Sequence, residues 1–192
     1  MSTATTASAQ ITFAGVTSYK FDAQSFGATR TLGGLTVTQN GFSVVTTASN
    51  PGSAQINTLG NSLGFVSLNN APFTYTGHTF QMQVAFTAPT TNNQVFFANV
   101  LGAVSLSGAG PHGVVRIVFA PSQIIGIPFS NGPGGGTYNF HVNDVKLEHG
   151  ESTLITGDIV ATVTTPEPGS SVLLATGFVG LIGIARRRSR KA

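Results

Sequence analysis

Hydrophobic positions recur with a period of two over much of the chain. The clearest run is His78, Phe80, Met82, Val84 and Phe86, with Gln81, Gln83, Ala85 and Thr87 between them. Strand side chains point alternately to two faces, so this run predicts a half-buried strand with one face in a core and the other in water. Pro89-Thr90-Thr91-Asn92-Asn93 ends it, and Gln94 to Ser107 begins the next. Val114 to Phe119 is almost continuously apolar, the pattern of a central strand, with its single charge, Arg116, turned to solvent. Tyr138, Phe140 and Val142 alternate, and Val145 and Leu147 continue on the other parity. The phase change at Asn143-Asp144 predicts a β-bulge, which inserts one residue and restores the face. Further strands are expected at 16–21, 35–39, 42–47, 54–59, 63–68 and 153–163.

Turn residues separate these runs: Gly33-Gly34, Asn40-Gly41, Asn50-Pro51-Gly52, Asn69-Asn70-Ala71-Pro72, and Asn131 to Gly136. Asn40-Gly41 has the chemistry of a two-residue hairpin, because both residues tolerate positive φ. Residues 121–137 read as the longest irregular segment, of the kind that often carries binding function. Many short strands between frequent turns predict an all-β body over residues 10–164, an antiparallel β-sandwich or jelly roll.

Composition supports this pattern. Of 192 residues, 25 are Thr, 17 Ser and 12 Asn, while charged residues make up only 8%. A soluble domain ordinarily carries roughly 25% charged residues, so hydroxyls and amides supply the polarity here. The 14 Phe, with many Val and Ile, provide a core and exclude disorder. The absence of Cys excludes disulfides, thiolate nucleophiles and Cys-based metal sites.

The net charge of +3 suggests a nucleic-acid partner until the basic residues are placed. Five of the nine cluster at the end as Arg186, Arg187, Arg188, Arg190 and Lys191. Residues 1–185 hold four, Lys20, Arg30, Arg116 and Lys146, against six acids, a net charge of −2. A groove that tracks phosphates needs cations distributed over a face, so nucleic acid is not an expected partner.

The end of the chain has three physical parts. Pro166-Glu167-Pro168 breaks strand and helix alike and predicts a linker. Residues 170–185 carry no charge and predict a single apolar helix. Sixteen helical residues reach about 24 Å, slightly less than the roughly 30 Å hydrocarbon core, so the segment is a marginal membrane span. The basic run from Arg186 to Lys191 then acts as a stop-transfer signal that stays cytoplasmic. This order of Pro-Glu-Pro, short apolar segment and Arg-rich end resembles the PEP-CTERM sorting signal of Gram-negative bacteria. The resemblance covers Pro166 to Lys191, about a seventh of the chain, and says nothing of the body's fold. It implies handling by an exosortase, a membrane-embedded transpeptidase, with cleavage near Pro166-Glu167-Pro168. It further implies an inner-membrane-anchored precursor that passes to the cell surface or extracellular matrix, where members are linked to biofilm and exopolysaccharide.

The amino terminus carries no basic n-region and no apolar run, yet Ala7-Ser8-Ala9 has the form of a signal-peptidase site. Residues 1–9 are therefore expected to be the remnant of a leader whose start lies upstream.

Candidate chemistry in the body is sparse. Gly60-Asn61-Ser62-Leu63-Gly64 fits a nucleophile elbow in letters, but that motif needs a helix to follow, and a strand pattern follows instead. Gly108-Ala109-Gly110-Pro111-His112-Gly113 fits a dinucleotide fingerprint, but it too runs into a strand and reads better as a hairpin loop. His141, Asp144, Glu148 and His149 are the one cluster of ligand-type residues and read as solvated positions at a strand end. No catalytic residue, metal or cofactor is expected. Sugar stacking has few candidates, with no Trp, three Tyr and most Phe needed inside. The expectation is a non-enzymatic structural or interaction protein. A carbohydrate-binding module or adhesin is the alternative, and a small hydrolase using Ser62 or an acid pair is a third reading.

Overall fold

The computed structural model describes residues 10–120, 124–131 and 134–164. Its strands in chain order are β1 (Thr12–Phe21), β2 (Thr29–Leu32), β3 (Leu35–Thr38), β4 (Gly41–Val45), β5 (Gly52–Ile56), β6 (Gly64–Leu68), β7 (Phe73–Thr74) and β8 (His78–Ala88). These are followed by β9 (Asn92–Ser107), β10 (Gly110–Phe119), β11 (Ile124–Asn131), β12 (Gly134–Val142), β13 (Val145–Glu148), β14 (Ser152–Ile155) and β15 (Gly157–Thr164). The described residues contain no helix, as an all-β body requires. The expected helix at 170–185, and residues 1–9, lie outside them.

Every pairing is antiparallel. One seven-stranded sheet runs β13-β10-β9-β8-β1-β4, with β7 added to the far part of β9. Two four-stranded sheets, β11-β12-β15-β5 and β14-β6-β3-β2, face it. The alternation read in β8 is present: Phe80, Met82, Val84 and Phe86 are wholly buried, while Thr79 and Thr87 are exposed. β10 is an inner strand between β9 and β13, and its Arg116 faces solvent. Nine of the 14 Phe lie in the core. Burying each contributes about 1.5–3 kcal/mol before ordering costs, which is how a chain this poor in charge-mediated contacts holds together.

The two small sheets are joined to the large one differently. The β11-β12-β15-β5 sheet is sealed by rings. Phe86 of β8 lies 5.3 Å from Phe140 and 5.4 Å from Tyr138, and Phe13 of β1 lies 4.9 Å from Tyr138, mostly edge to face. The β14-β6-β3-β2 sheet is fixed by hydroxyls. Tyr19 of β1 donates to the Leu63 carbonyl just before β6, and the Tyr75 hydroxyl accepts from Gly34 N at 2.9 Å just before β3.

Four expectations are corrected. Within the stretch read as irregular, 121–137, the described residues 124–131 and 134–137 are strand, because β11 and β12 pair from Ile124↔Phe140 to Asn131↔Gly134. Their Gly and Pro content hid them. β11 is an edge strand, where Pro128 is tolerated, and its Ile127 and Phe129 point inward. At Gly136, a Cβ would sit 2.1 Å from the Thr162 carbonyl, so glycine there permits close strand approach.

Asn40-Gly41 is not a hairpin. It carries the chain from β3 in a small sheet to β4, which pairs with β1. Asn40 Nδ2 donates to Ser62 Oγ at 2.9 Å and to the Leu59 carbonyl at 3.2 Å, so the amide anchors a crossing between layers. Nor is Asn143-Asp144 a bulge inside one strand. The chain leaves β12 there and enters β13 in the opposite layer, and Asp144 Oδ1 accepts from Phe119 N at 2.8 Å to close the end of β10. The run 153–163 is two strands in different sheets, parted at Thr156, whose hydroxyl accepts from Asn143 Nδ2 at 3.0 Å. Two other expected strands are shorter than read, ending at Val45 and Ile56.

Candidate functional site

Sorting motif residues Pro166, Glu167 and Pro168, and stop-transfer residues Arg186, Arg187, Arg188, Arg190 and Lys191, lie outside the described residues. What the structure places is the ground before them. β15 is an inner strand, paired with β12 from Gly135↔Thr164 to Val142↔Gly157 and with β5 on its other side. Asn50 grips its last turn of pairing, donating to the Val163 carbonyl at 3.0 Å and accepting from Val163 N at 3.1 Å. Thr164 adds a side-chain bond to the Gly135 carbonyl at 2.9 Å. The body is thus held in register up to Thr164, two residues before Pro166.

The body motifs fall where strands, not helices, follow them. Ser62 is fully buried, and its Oγ accepts from Asn40 Nδ2 in front of β6. The glycines around 108–113 form the tight β9–β10 hairpin, with Ser107 paired to Gly110. The cluster at 141–149 is dispersed by the layer crossing. His141 Nδ1 lies 3.9 Å from Asp158 Oδ2, Asp144 caps β10, and Glu148 lies 3.8 Å from Lys146 Nζ. Among the described residues no three His, Asp or Glu side chains converge, and no helix is long and apolar enough to cross a membrane.

A polar cluster that spacing did not suggest sits at the end of β1. Asp22 adopts φ +48°, which bends the chain so that its carboxylate turns back onto β8. Asp22 Oδ1 accepts from Thr79 N at 2.8 Å, and Oδ2 lies 2.7 Å from His78 Nδ1. The Thr79 N–H, and after it His78, holds the Asp22 carboxyl below its ordinary range. Three tyrosines lie in the interior. Burial raises the pKa of Tyr19, Tyr75 and Tyr138, with Tyr138 pushed up to about 12. Tyr19 also meets Thr17 Oγ1 at 2.7 Å, whereas the buried Tyr138 hydroxyl has no hydrogen-bond partner.

The outer face of the seven-stranded sheet carries the feature most suited to binding. β9 directs Phe96, Ala98 and Val100 inward, so Phe97, Asn99 and Leu101 stand outward at every second position. Register places Gln81 beside Phe97, and Thr79 and Val118 on either side of Asn99. These residues line an open cleft of about 410 Å³, in which the Phe97 ring is 58% exposed. One row further along, Leu101, Arg116 and Lys146 line a second cleft of about 240 Å³. Composition alone hid this site, because a phenyl ring among amides looks like core until strand parity is known.

The PEP-CTERM protein-sorting motif matches residues 164–191. No curated protein and no solved structure matches the chain. The chain therefore carries, from the last residue of β15 onward, the sorting signal of an exported protein processed by an exosortase.

Proposed function

We propose that this chain is a cell-surface or extracellular-matrix protein whose β-sandwich body is a structural or interaction unit without catalytic activity. The sorting motif at 164–191, abutting a strand gripped on both sides, carries this reading. The apolar segment 170–185 holds the precursor in the inner membrane, with Arg186, Arg187, Arg188, Arg190 and Lys191 on the cytoplasmic side. An exosortase cuts near Pro166-Glu167-Pro168 and passes the body outward. The hydroxyl- and amide-rich exterior suits contact with a hydrated matrix. Replacing Pro166-Glu167-Pro168 with alanines in the full chain tests the reading by mass spectrometry of the mature ends and by surface labelling. The unprocessed precursor should accumulate in the inner membrane, and unchanged processing and display would refute the role assigned to those residues.

The second reading is a carbohydrate-binding module or adhesin of the exopolysaccharide matrix. It is favoured by Phe97, exposed between Gln81 and Asn99 on the outer face of the large sheet.

A further inference from the structure

We infer that the outer face of the seven-stranded sheet binds an acidic saccharide chain, with Phe97 as the stacking platform and Arg116 and Lys146 as the carboxylate-binding pair. This deepens the carbohydrate-binding reading and rests on it. Large apolar side chains are normally spent inside, and a ring 58% exposed on a regular strand has no packing role to explain it. Phe97 is flanked by neutral amides: Gln81 lies directly across on β8, and Asn99 two residues along β9. An aromatic face bordered by groups that both donate and accept suits a pyranose ring. Its axial C–H face lies on the π cloud while its hydroxyls take the amides.

Charge on the same face sets the sign of the ligand. The strands of this sheet carry Lys20, Arg116 and Lys146 against Glu148, while Asp22, Asp144 and Glu151 bond to their backbone at Thr79, Phe119 and Glu148, so the cations gather locally at Arg116 and Lys146. The other strands together carry one Arg and one Asp. Arg116 and Lys146 are direct cross-strand partners. Like charges in that position repel each other, a cost that a carboxylate lying between them reverses. Glu148 offsets only part of this, standing 3.8 Å from Lys146. Phe97, Asn99 and Leu101 form a line of roughly 14 Å at about 3.4 Å per residue. The line runs from the aromatic cleft to the cation pair, so one chain can stack at one end and place an acid at the other. Two or three cations are too few for a nucleic acid's phosphate track, and the neutral amides beside the ring give an acidic peptide little to pair with.

The test is affinity electrophoresis of the full-length chain in detergent micelles, in gels containing polygalacturonate, an uncharged galactan, polyglutamate or oligo-dT. The wild-type chain should be retarded more by polygalacturonate than by galactan. Phe97→Ala should weaken polygalacturonate retardation at least fivefold, and a Gln81→Ala/Asn99→Ala chain should do the same if Phe97→Ala does not fold. Arg116→Gln with Lys146→Gln should weaken retardation by polygalacturonate at least fivefold and leave that by galactan unchanged. Val160→Ala, an exposed position on the opposite layer, should change nothing. All these chains share the same basic tail, so differences between them report on the face alone. Equal retardation of wild type and Phe97→Ala overturns the site. So does retardation by polyglutamate or oligo-dT that falls equally in Phe97→Ala. Normal processing and surface display of a chain that polygalacturonate does not retard overturns the site and leaves the sorting reading intact. Unchanged processing after Pro-Glu-Pro replacement removes the sorting reading without touching the site.

Discussion

The two small sheets cover the same large sheet by different means. Over β11-β12-β15-β5 the closure is made by rings. Phe13, Phe86 and Tyr138 meet edge to face, and the Tyr138 hydroxyl sits among them with no partner. Over β14-β6-β3-β2 the closure depends on phenols that bond to backbone: Tyr19 to the Leu63 carbonyl and Tyr75 to Gly34 N. Ring packing is tolerant of register and powerful in area. A phenol bonded to a backbone group in a loop fixes position, because the buried partner is left costly if the bond is lost. Both sheets bury apolar side chains in one core; the first adds ring-on-ring packing to that burial, and the second adds hydroxyl bonds that fix its alignment.

Substitutions that separate area from hydroxyl chemistry probe this contrast. The largest effect is expected for Phe140→Ala, whose ring touches Phe42, Phe86 and Phe96. It should cost about 3–5 kcal/mol, read as a lowered denaturant midpoint of the full chain in detergent. Tyr19→Phe should come next at about 1–3 kcal/mol, since the Leu63 carbonyl and Thr17 hydroxyl lose a buried partner while area is kept. Tyr138→Phe removes a hydroxyl that bonds to nothing and should be neutral or stabilising, within about 1 kcal/mol of the parent. A loss as large as that of Tyr19→Phe would break the comparison.

Alkaline titration sharpens it. An unfolded tyrosine ionises near 10, while native Tyr138 keeps its proton up to about 12. Its contribution is therefore whole below the unfolded value and is lost as pH climbs between the two. Tyr138→Phe should flatten that part of the stability profile, and an unchanged alkaline slope would contradict the assignment. The smallest effect concerns Asp22. Its folded ionisation is depressed, so its contribution is present above the unfolded carboxylate value of about 3.9 and lost as pH falls further. Because the pair with His78 is partly exposed, Asp22→Asn should alter only the acid limb, and only slightly.

Sequence periodicity carried the large sheet well. β8 alternates, β10 is apolar with its charge outward, and the glycines at 108–113 close a hairpin, because local pattern alone determines each of these. The small sheets were harder to see. Asn40-Gly41 and Asn143-Asp144 announce a bend, but turn chemistry does not specify which sheet receives the next strand. That depends on the Asn40 and Asp144 contacts with residues 22 and 25 positions away. The β11–β12 pair was hidden because Pro and Gly, read as breakers, sit at an edge and at a close approach. The sorting signal was legible whole, since it works as an ordered string of local properties. The Asp22–His78 pair, 56 residues apart, depends on the β1–β8 register. Phe97 was half legible: of two adjacent phenylalanines in a strand one must face out, and only the pairing of β9 decides which.

β15 is flanked by β12 and β5 along most of its length and is clamped by Asn50 at its last residues. Tension entering the body at Thr164 runs lengthwise down a strand gripped from both sides, so its hydrogen bonds must shear together and cannot open one at a time. A tether attached there pulls on the molecule in its mechanically toughest direction.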